Sequence, residues 1–162
     1  MSDVLKKELI SDLTKCIRSD RRPHLSEVFH SKYTQTTSGS GSEDSNTEFV
    51  ELAKKLVERD DDSQIDEYVL DQLFPYFSIA AYRYYFPKIL LGLITETYPS
   101  DGNLAATFYD AIDIHRKFGR GQHVTMLREF SQSLSDDKRN LLDACIALLG
   151  TSEDELPLNG CL

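Results

Sequence analysis

The stretch of residues 74–94, FPYFSIAAYRYYFPKILLGLI, constrains the fold more than any other part of the chain. It is dense in aromatic and aliphatic residues, and Pro87 stands inside an otherwise helical apolar pattern. At 100° per residue, one face of this helix carries six apolar side chains: Ile79, Tyr82, Phe86, Ile89, Leu90 and Leu93. Their phase is kept across Pro87. The pattern therefore predicts one kinked central helix, capped by Ser78 and ended by Pro99, rather than two separate helices.

The remaining apolar residues also follow the helical period, and no segment alternates with the period of a strand. Ser2 is the predicted cap of a first helix, Asn46 or Thr47 that of another, and Ser135 that of the last. One further helix is expected to turn a single apolar side toward the core, formed by Ile65, Tyr68, Val69 and Leu73. The sequence predicts an all-α, single-domain bundle of five to seven helices over residues 1–162.

Two segments lack the residues that a core needs. Residues 36–46, TTSGSGSEDSN, have the Ser/Gly composition of a flexible linker within the domain. Residues 151–162 are predicted to form a loose acidic tail. Neither segment offers enough apolar surface to offset the entropy of ordering it.

The charge of the chain restricts its partners. A formal net charge of −9 over 162 residues argues against binding to nucleic acid or to an anionic membrane, and it suits a basic protein partner. The longest apolar run, residues 89–94, is far shorter than the roughly 20 residues of a membrane span. The start of the chain has no apolar signal core. We expect a cytoplasmic protein, and the sequence does not determine its oligomeric state.

No pattern of catalytic or metal-binding residues emerges. His115 follows Asp110 and Asp113, but on the helical wheel it lies among apolar residues while both aspartates point away, which favours a core histidine. The other histidines form no ligand set, and Cys16, Cys145 and Cys161 are scattered without a C-x-x-C motif. The chain also has no nucleophile elbow and no phosphate-binding glycine run. The sequence predicts no catalytic residue, no metal and no cofactor.

A loop of three aspartates begins like a calcium-binding loop. It consists of Asp60, Asp61 and Asp62. However, Ile65 stands where such a loop needs Gly, and Asp71 stands where it needs a bidentate glutamate. The prediction is therefore a solvated loop between helices.

Arg83 is the unusual residue of the central helix because it lies on the inward half, beside Phe86 and Leu90. A buried guanidinium must be paired, since removing its water costs several kcal/mol. The candidate partners are Asp71, Asp110 and Asp113. We expect a structural ion pair that fixes helix register; the alternative is an arginine that anchors an anionic ligand.

The other side of the same helix carries Tyr84, Tyr85 and Lys88. These side chains are exposed unless another helix covers them. Exposed tyrosines are frequent binding hot spots, and the nearby acidic loop, Asp60, Asp61 and Asp62, would attract a basic partner. This predicts an interaction surface, whereas burial of both tyrosines by a neighbouring helix would remove it.

Residues 77–87, FSIAAYRYYFP, resemble the signature of a family of small, uncharacterised bacterial proteins, a domain of unknown function. That signature runs A-[FY]-R-[FY]-Y-[LF]-P at the start of an apolar helix. The positions that match are Ala81, Tyr82, Arg83, Tyr84, Tyr85 and Pro87, and Phe86 replaces the usual leucine. Fainter likeness extends over residues 48–150, including the Ser135 opening of the last helix. The resemblance implies no activity.

The sequence thus favours a non-catalytic binding or adaptor protein that acts through an acidic and tyrosine-rich surface. A sharper form is an immunity-type inhibitor of a basic toxin, because such inhibitors are small, acidic and helical. An alternative from another class is an enzyme that uses Arg83 as an anion clamp, with His115 as its base.

Overall fold

The computed structural model describes residues 2–29, 43–59, 65–117 and 122–149, giving the backbone only for residues 43–46, 114–117 and 122–125. Seven α-helices lie within these ranges: α1 Asp3–Ile17, α2 Glu43–Val57, α3 Glu67–Leu73, α4 Ile79–Ile94, α5 Asn103–Lys117, α6 Gln122–Ser133 and α7 Asp136–Leu149. Two short 3-10 turns, Leu25–Glu27 and Phe74–Tyr76, precede α2 and α4. An isolated antiparallel bridge joins Phe29 to Phe77, and the described residues contain no strand. The prediction of an all-α, single-domain bundle is confirmed.

The central helix α4 is continuous through Pro87. Ser78 caps its start as predicted, since its hydroxyl oxygen accepts a hydrogen bond from the Ala81 N–H at 3.1 Å. Five of the six predicted inward residues are buried, and Ile79 is half-buried. Tyr84, Tyr85 and Pro87 on the other side are buried as well. A helix that is apolar around most of its circumference is enclosed by its neighbours, and α4 has this position here.

The helix α4 ends at Ile94, earlier than the expected stop at Pro99. Glu96 adopts a left-handed conformation with φ of 60°, which reverses the chain. The Tyr98 N–H then donates to the Gly92 carbonyl at 3.0 Å, and the Tyr98 hydroxyl donates to the Ile65 carbonyl at 3.1 Å. The reversal therefore places an aromatic side chain back against the helix that it leaves.

The helices pack around α4 and α5. Helix α4 contacts α1, α6 and α7, while α3 packs between α2 and α5, and α5 also contacts α6. The centre of the core is a set of buried rings: Phe74, Phe77, Tyr82, Phe86, Phe108 and Phe130. The Phe86 ring lies 5.1 Å from that of Phe108 and 5.2 Å from that of Phe130, so it joins three helices.

Two boundary predictions have different outcomes. Helix α2 begins at Glu43, before the predicted caps Asn46 and Thr47, so residues 43–46 of the predicted linker are helical. Residues 36–42 and the predicted tail, residues 151–162, lie outside the described residues. None of the helices in the described ranges has the length and apolar character that crossing a bilayer needs.

Candidate functional site

Arg83 does not form the predicted core ion pair. Its side chain is exposed, and its guanidinium donates from Nε to the Ser133 hydroxyl and from Nη2 to the Ser133 carbonyl, both at 3.2 Å. The prediction is wrong because Arg83 lies where α4 meets the end of α6, and there its long side chain stays exposed to solvent.

The three proposed acidic partners of Arg83 lie elsewhere. Asp71 is half-buried on α3, where one carboxylate oxygen accepts from the Thr107 hydroxyl and the other accepts from the Gln72 amide at 3.1 Å. Asp110 is exposed on α5, and Asp113 is half-buried one turn further on. The carboxylate of Asp71 therefore joins α3 to α5 rather than α3 to Arg83.

The predicted tyrosine surface is also corrected, because Tyr84 is 8% exposed and Tyr85 is fully buried. The Tyr85 ring stacks on Phe77 at 5.4 Å. The Tyr84 hydroxyl accepts hydrogen bonds from Arg22 Nε at 3.5 Å and from Lys88 Nζ at 3.1 Å. Lys88 is half-buried over the Tyr84 ring, with its ammonium 4.2 Å from the ring centroid. Neither tyrosine can serve as an exposed hot spot.

The acidic loop of the predicted surface, Asp60, Asp61 and Asp62, lies outside the described residues. The same is true of the His115 side chain, which the enzyme alternative would use as a base.

A different surface combines an exposed tyrosine with carboxylates. Tyr68 on α3 is 54% exposed. It borders a shallow depression of about 270 Å³, here called the Tyr68 depression, which is lined by Glu67, Tyr68, Asp71, Gly102 and Asn103. Helix α3 supplies the first three residues, and the start of α5 and the turn before it supply the others. The packing of α3 on α5 thus creates the depression.

The acidic side chains of the Tyr68 depression are held in place by the backbone and by neighbouring side chains. The Leu104 N–H, in the first turn of α5, donates to Glu67 Oε1 at 3.4 Å. A carboxylate is favourable there, since the unpaired N–H groups of a helix start carry partial positive charge. Asp66 caps α3 by accepting from the Tyr68 N–H at 2.9 Å. The depression therefore presents fixed carboxylates beside one exposed ring.

Sequence reasoning missed Tyr68 because the helical wheel placed it beside Ile65 and Val69 on the inward side. Both of those residues are buried, but α3 has only seven residues, and Tyr68 is the second of them. A helix of two turns does not define one inward stripe well. The signal in the sequence is Asp-Glu-Tyr at residues 66–68, because an Asp of the type that caps helices places the next residues at an exposed helix start.

The second depression, of about 280 Å³, lies at the start of α7 and is here called the Arg83 depression. Its lining consists of Asp20, Arg83, Ser133, Leu134, Ser135 and Lys138. Lys138 Nζ lies 3.4 Å from both Asp20 Oδ2 and the Ser19 hydroxyl. This depression holds two cationic groups and one carboxylate, the reverse of the balance at Tyr68.

The two described cysteines are free thiols that lie on helices. Cys145 is buried on α7, and burial raises the pKa of its thiol to about 11. Cys16 on α1 is half-buried, and burial likewise raises the pKa of its thiol. Since the thiolate is the reactive form, neither thiol is activated as a nucleophile at neutral pH.

No protein-family model matches the chain, and comparisons with curated proteins and with solved structures found no similar protein. The resemblance of residues 77–87 to the bacterial family therefore stays a prediction.

Proposed function

We propose that the protein is a non-catalytic binding protein that recognises a basic protein partner through one acidic face. This acidic face comprises the exposed side of α3, the turn before α5 and the first turns of α5, with the residues Asp66, Glu67, Tyr68, Asp71, Asp101 and Asp110. It takes the role that the sequence suggested for Tyr84 and Tyr85.

The observation that carries the proposal is the exposed ring of Tyr68 beside the depression. Tyrosine offers a large and rigid contact area, and ordering it costs little entropy. Its ring also attracts Lys and Arg side chains through the negative face of the π system. An exposed aromatic residue that is surrounded by carboxylates therefore suits a basic side chain of a partner.

The charged side chains that line the Tyr68 depression are carboxylates. Lys55 and Arg59 lie beyond it, in a separate depression that Asp66 also lines. No Lys or Arg occurs between Arg59 and Arg83 or between Lys88 and Arg116, the two sequence segments that contain α3 and the start of α5. Asp101 and Asp110 are exposed there. A patch with an excess of carboxylates raises the association rate of a partner of opposite charge, and salt weakens the effect.

The acidic groups are also preorganised. Leu104 N–H holds Glu67, and Thr107 holds Asp71, so these side chains lose little freedom when a partner binds. Side chains that are ordered before binding reduce the entropy cost of the complex. This favours a binding role for the acidic face over a role in solubility alone.

An immunity-type inhibitor of a basic toxin is the sharper form of the same proposal. Such an inhibitor needs an acidic, partly rigid surface that masks a basic active site, and the acidic face has both properties. A gene for a basic toxin beside the gene for this protein would favour it.

The proposal is tested by a nuclear magnetic resonance titration of the labelled protein with a hexalysine peptide, which stands in for a basic partner segment. We expect saturable shifts at residues 66–71 and 101–110 that weaken steeply as salt rises. Tyr68→Ala is expected to weaken binding about tenfold. The variant Asp101→Asn/Asp110→Asn is expected to reduce the salt dependence.

The matched control is Leu5→Ala, which removes another exposed apolar side chain, on α1, and is expected to leave the affinity unchanged. Shifts spread evenly over all acidic residues would contradict the proposal, as would equal affinity for wild type and Tyr68→Ala. A natural partner, once purified, should show the same order of affinities among these variants.

A further inference from the structure

The Arg83 depression carries an inference that does not rest on the acidic face. We propose that it binds a small molecule through a single oxyanion group, carboxylate or phosphate. The anion-clamp role that the sequence left open for Arg83 thereby becomes a defined surface site, with no catalytic step attached to it.

Arg83 is positioned for such a role by its contacts with Ser133. These hydrogen bonds use Nε and Nη2, both at 3.2 Å, and they leave Nη1 without a hydrogen bond to any described residue. The Ser133 hydroxyl is fixed in turn, since it donates to the Phe130 carbonyl at 2.6 Å. A guanidinium that is already held by hydrogen bonds loses little freedom when it takes an anion, and its planar fork matches the oxygens of carboxylate and phosphate.

The charge of Arg83 is also uncompensated. No carboxylate among the described residues forms an ion pair with it. Lys138 adds a second cation to the lining, and its contact with Asp20 is long, with both side chains partly exposed. A pair of this kind contributes little stability, so Lys138 is free to turn toward a ligand at small cost. Two cations against Asp20 leave the depression net positive within a chain of net charge −9.

The start of α7 strengthens the site. Ser135 caps the helix, and its hydroxyl oxygen accepts from the Lys138 N–H at 3.4 Å. The N–H groups of the first turn add partial positive charge at the rim of the depression. The charges of Asp136 and Asp137 oppose this effect, but Asp136 is paired with Arg139 at 3.1 Å, and both aspartates are exposed to solvent. The volume of about 280 Å³ accommodates an oxyanion together with a small attached group.

The experiment is a nuclear magnetic resonance titration of the full chain with inorganic phosphate and, separately, with acetate, against sodium chloride at matched ionic strength. We expect saturable shifts at Arg83, Ser133, Ser135 and Lys138 with at least one of the two anions and not with chloride. A response to phosphate alone identifies a phosphate group, a response to acetate alone identifies a carboxylate, and a response to both identifies recognition of the oxyanion itself.

Three variants separate recognition from simple charge. Arg83→Ala is expected to weaken binding about tenfold, and Arg83→Lys, which keeps the charge but loses the fork, about threefold. Lys6→Ala removes an exposed cation at the far end of α1 and is expected to leave binding unchanged. Since Arg83 is exposed, its variants should melt close to the wild-type temperature.

Two results would overturn the proposal. One is the absence of saturable shifts with phosphate and acetate beyond those with chloride. The other is equal binding by wild type and by an Arg83→Ala protein with a normal melting temperature. Either result leaves the acidic-face proposal intact, because that proposal is measured with a cationic peptide and different variants.

Discussion

Gly92 and Tyr98 depend on each other at the end of α4. A Cβ atom added at Gly92 would overlap the ring of Tyr98, which is buried and held by the hydrogen bond from its hydroxyl to the Ile65 carbonyl. We expect Gly92→Ala to lower the free energy of unfolding by about 1–3 kcal/mol, because a packed ring would have to move. Thermal unfolding by circular dichroism measures the change.

Gly102→Ala is the control for this residue. There the added methyl group would meet mainly the carboxylate end of Glu67, which can move by giving up one long hydrogen bond from the Leu104 N–H instead of displacing a buried ring. We expect a clearly smaller loss of stability than at Gly92. Equal losses in the two variants would mean that the Tyr98 ring is not fixed against α4.

For Arg83, the sequence predicted the side of the helix correctly but not the exposure of the side chain. The wheel placed it correctly on the half of α4 that faces other helices, and it packs beside α6 through Ser133. The wheel could not tell a buried position from an edge, because that depends on where the neighbouring helix ends. Helix α6 ends at Ser133, so the guanidinium meets a helix terminus and water instead of a carboxylate.

At the scale of the element, Ser78 joins the start of α4 to another part of the chain. Its hydroxyl caps the helix and also donates to the Glu27 carbonyl, while its N–H donates to the Val28 carbonyl at 2.8 Å. Ser78→Ala is therefore expected to cost about 1–2 kcal/mol of unfolding free energy. Chemical denaturation, compared between variant and wild type, gives this value.

Ser2→Ala is the matched control for Ser78→Ala, because it also removes the hydroxyl that caps a helix. Ser2 also accepts a hydrogen bond, from the Leu5 N–H at 3.3 Å, but both residues are exposed. Its loss is expected to cost about 0.5 kcal/mol, because a helix end that frays contributes little to global stability. If both variants lost the same amount, the link between Ser78 and Glu27 would carry no stability.

The helix starts at Ser2, Ser78 and Ser135 followed from cap chemistry, since a short polar side chain at the start of an apolar period is a local signal. The end of α4 did not, because the reversal at Glu96 is fixed by the packing of Tyr98 on Gly92, a contact within the folded chain. The sequence did not predict the start of α2 at Glu43, because Glu, Asp and Ser are common both in flexible linkers and in the first turn of a helix.

At the scale of the whole molecule, the fold class and the inward face of α4 were predictable because burial imposes a periodic pattern on each helix. The candidate sites were not, because they arise between elements. The Tyr68 depression exists only where α3 packs on α5, and the Arg83 depression only where α4, α6 and α7 meet. The Tyr84 hydroxyl likewise has a hydrogen-bond partner, Arg22, that is 62 residues away in the chain.

The core rings connect the helices of the bundle, so we expect it to unfold as one cooperative unit, and Phe86 is the ring that tests this. It lies against Phe74 before α4, Phe108 on α5 and Phe130 on α6, with centroid distances of 6.3, 5.1 and 5.2 Å. Phe86→Ala is expected to lower the free energy of unfolding by about 3–5 kcal/mol, through lost burial and the cavity left behind.

The measurement is urea denaturation followed in parallel by circular dichroism, which reports the helices, and by tyrosine fluorescence, which reports the core because the chain has no Trp. We expect coincident transitions in wild type and in Phe86→Ala, at a lower urea concentration in the variant. Tyr68→Ala, which removes an exposed ring, should change the free energy of unfolding by no more than about 0.5 kcal/mol. Separate transitions for the two probes in wild type would show that α4 and its neighbours unfold independently. A small loss of unfolding free energy in Phe86→Ala would show that this ring does not join them.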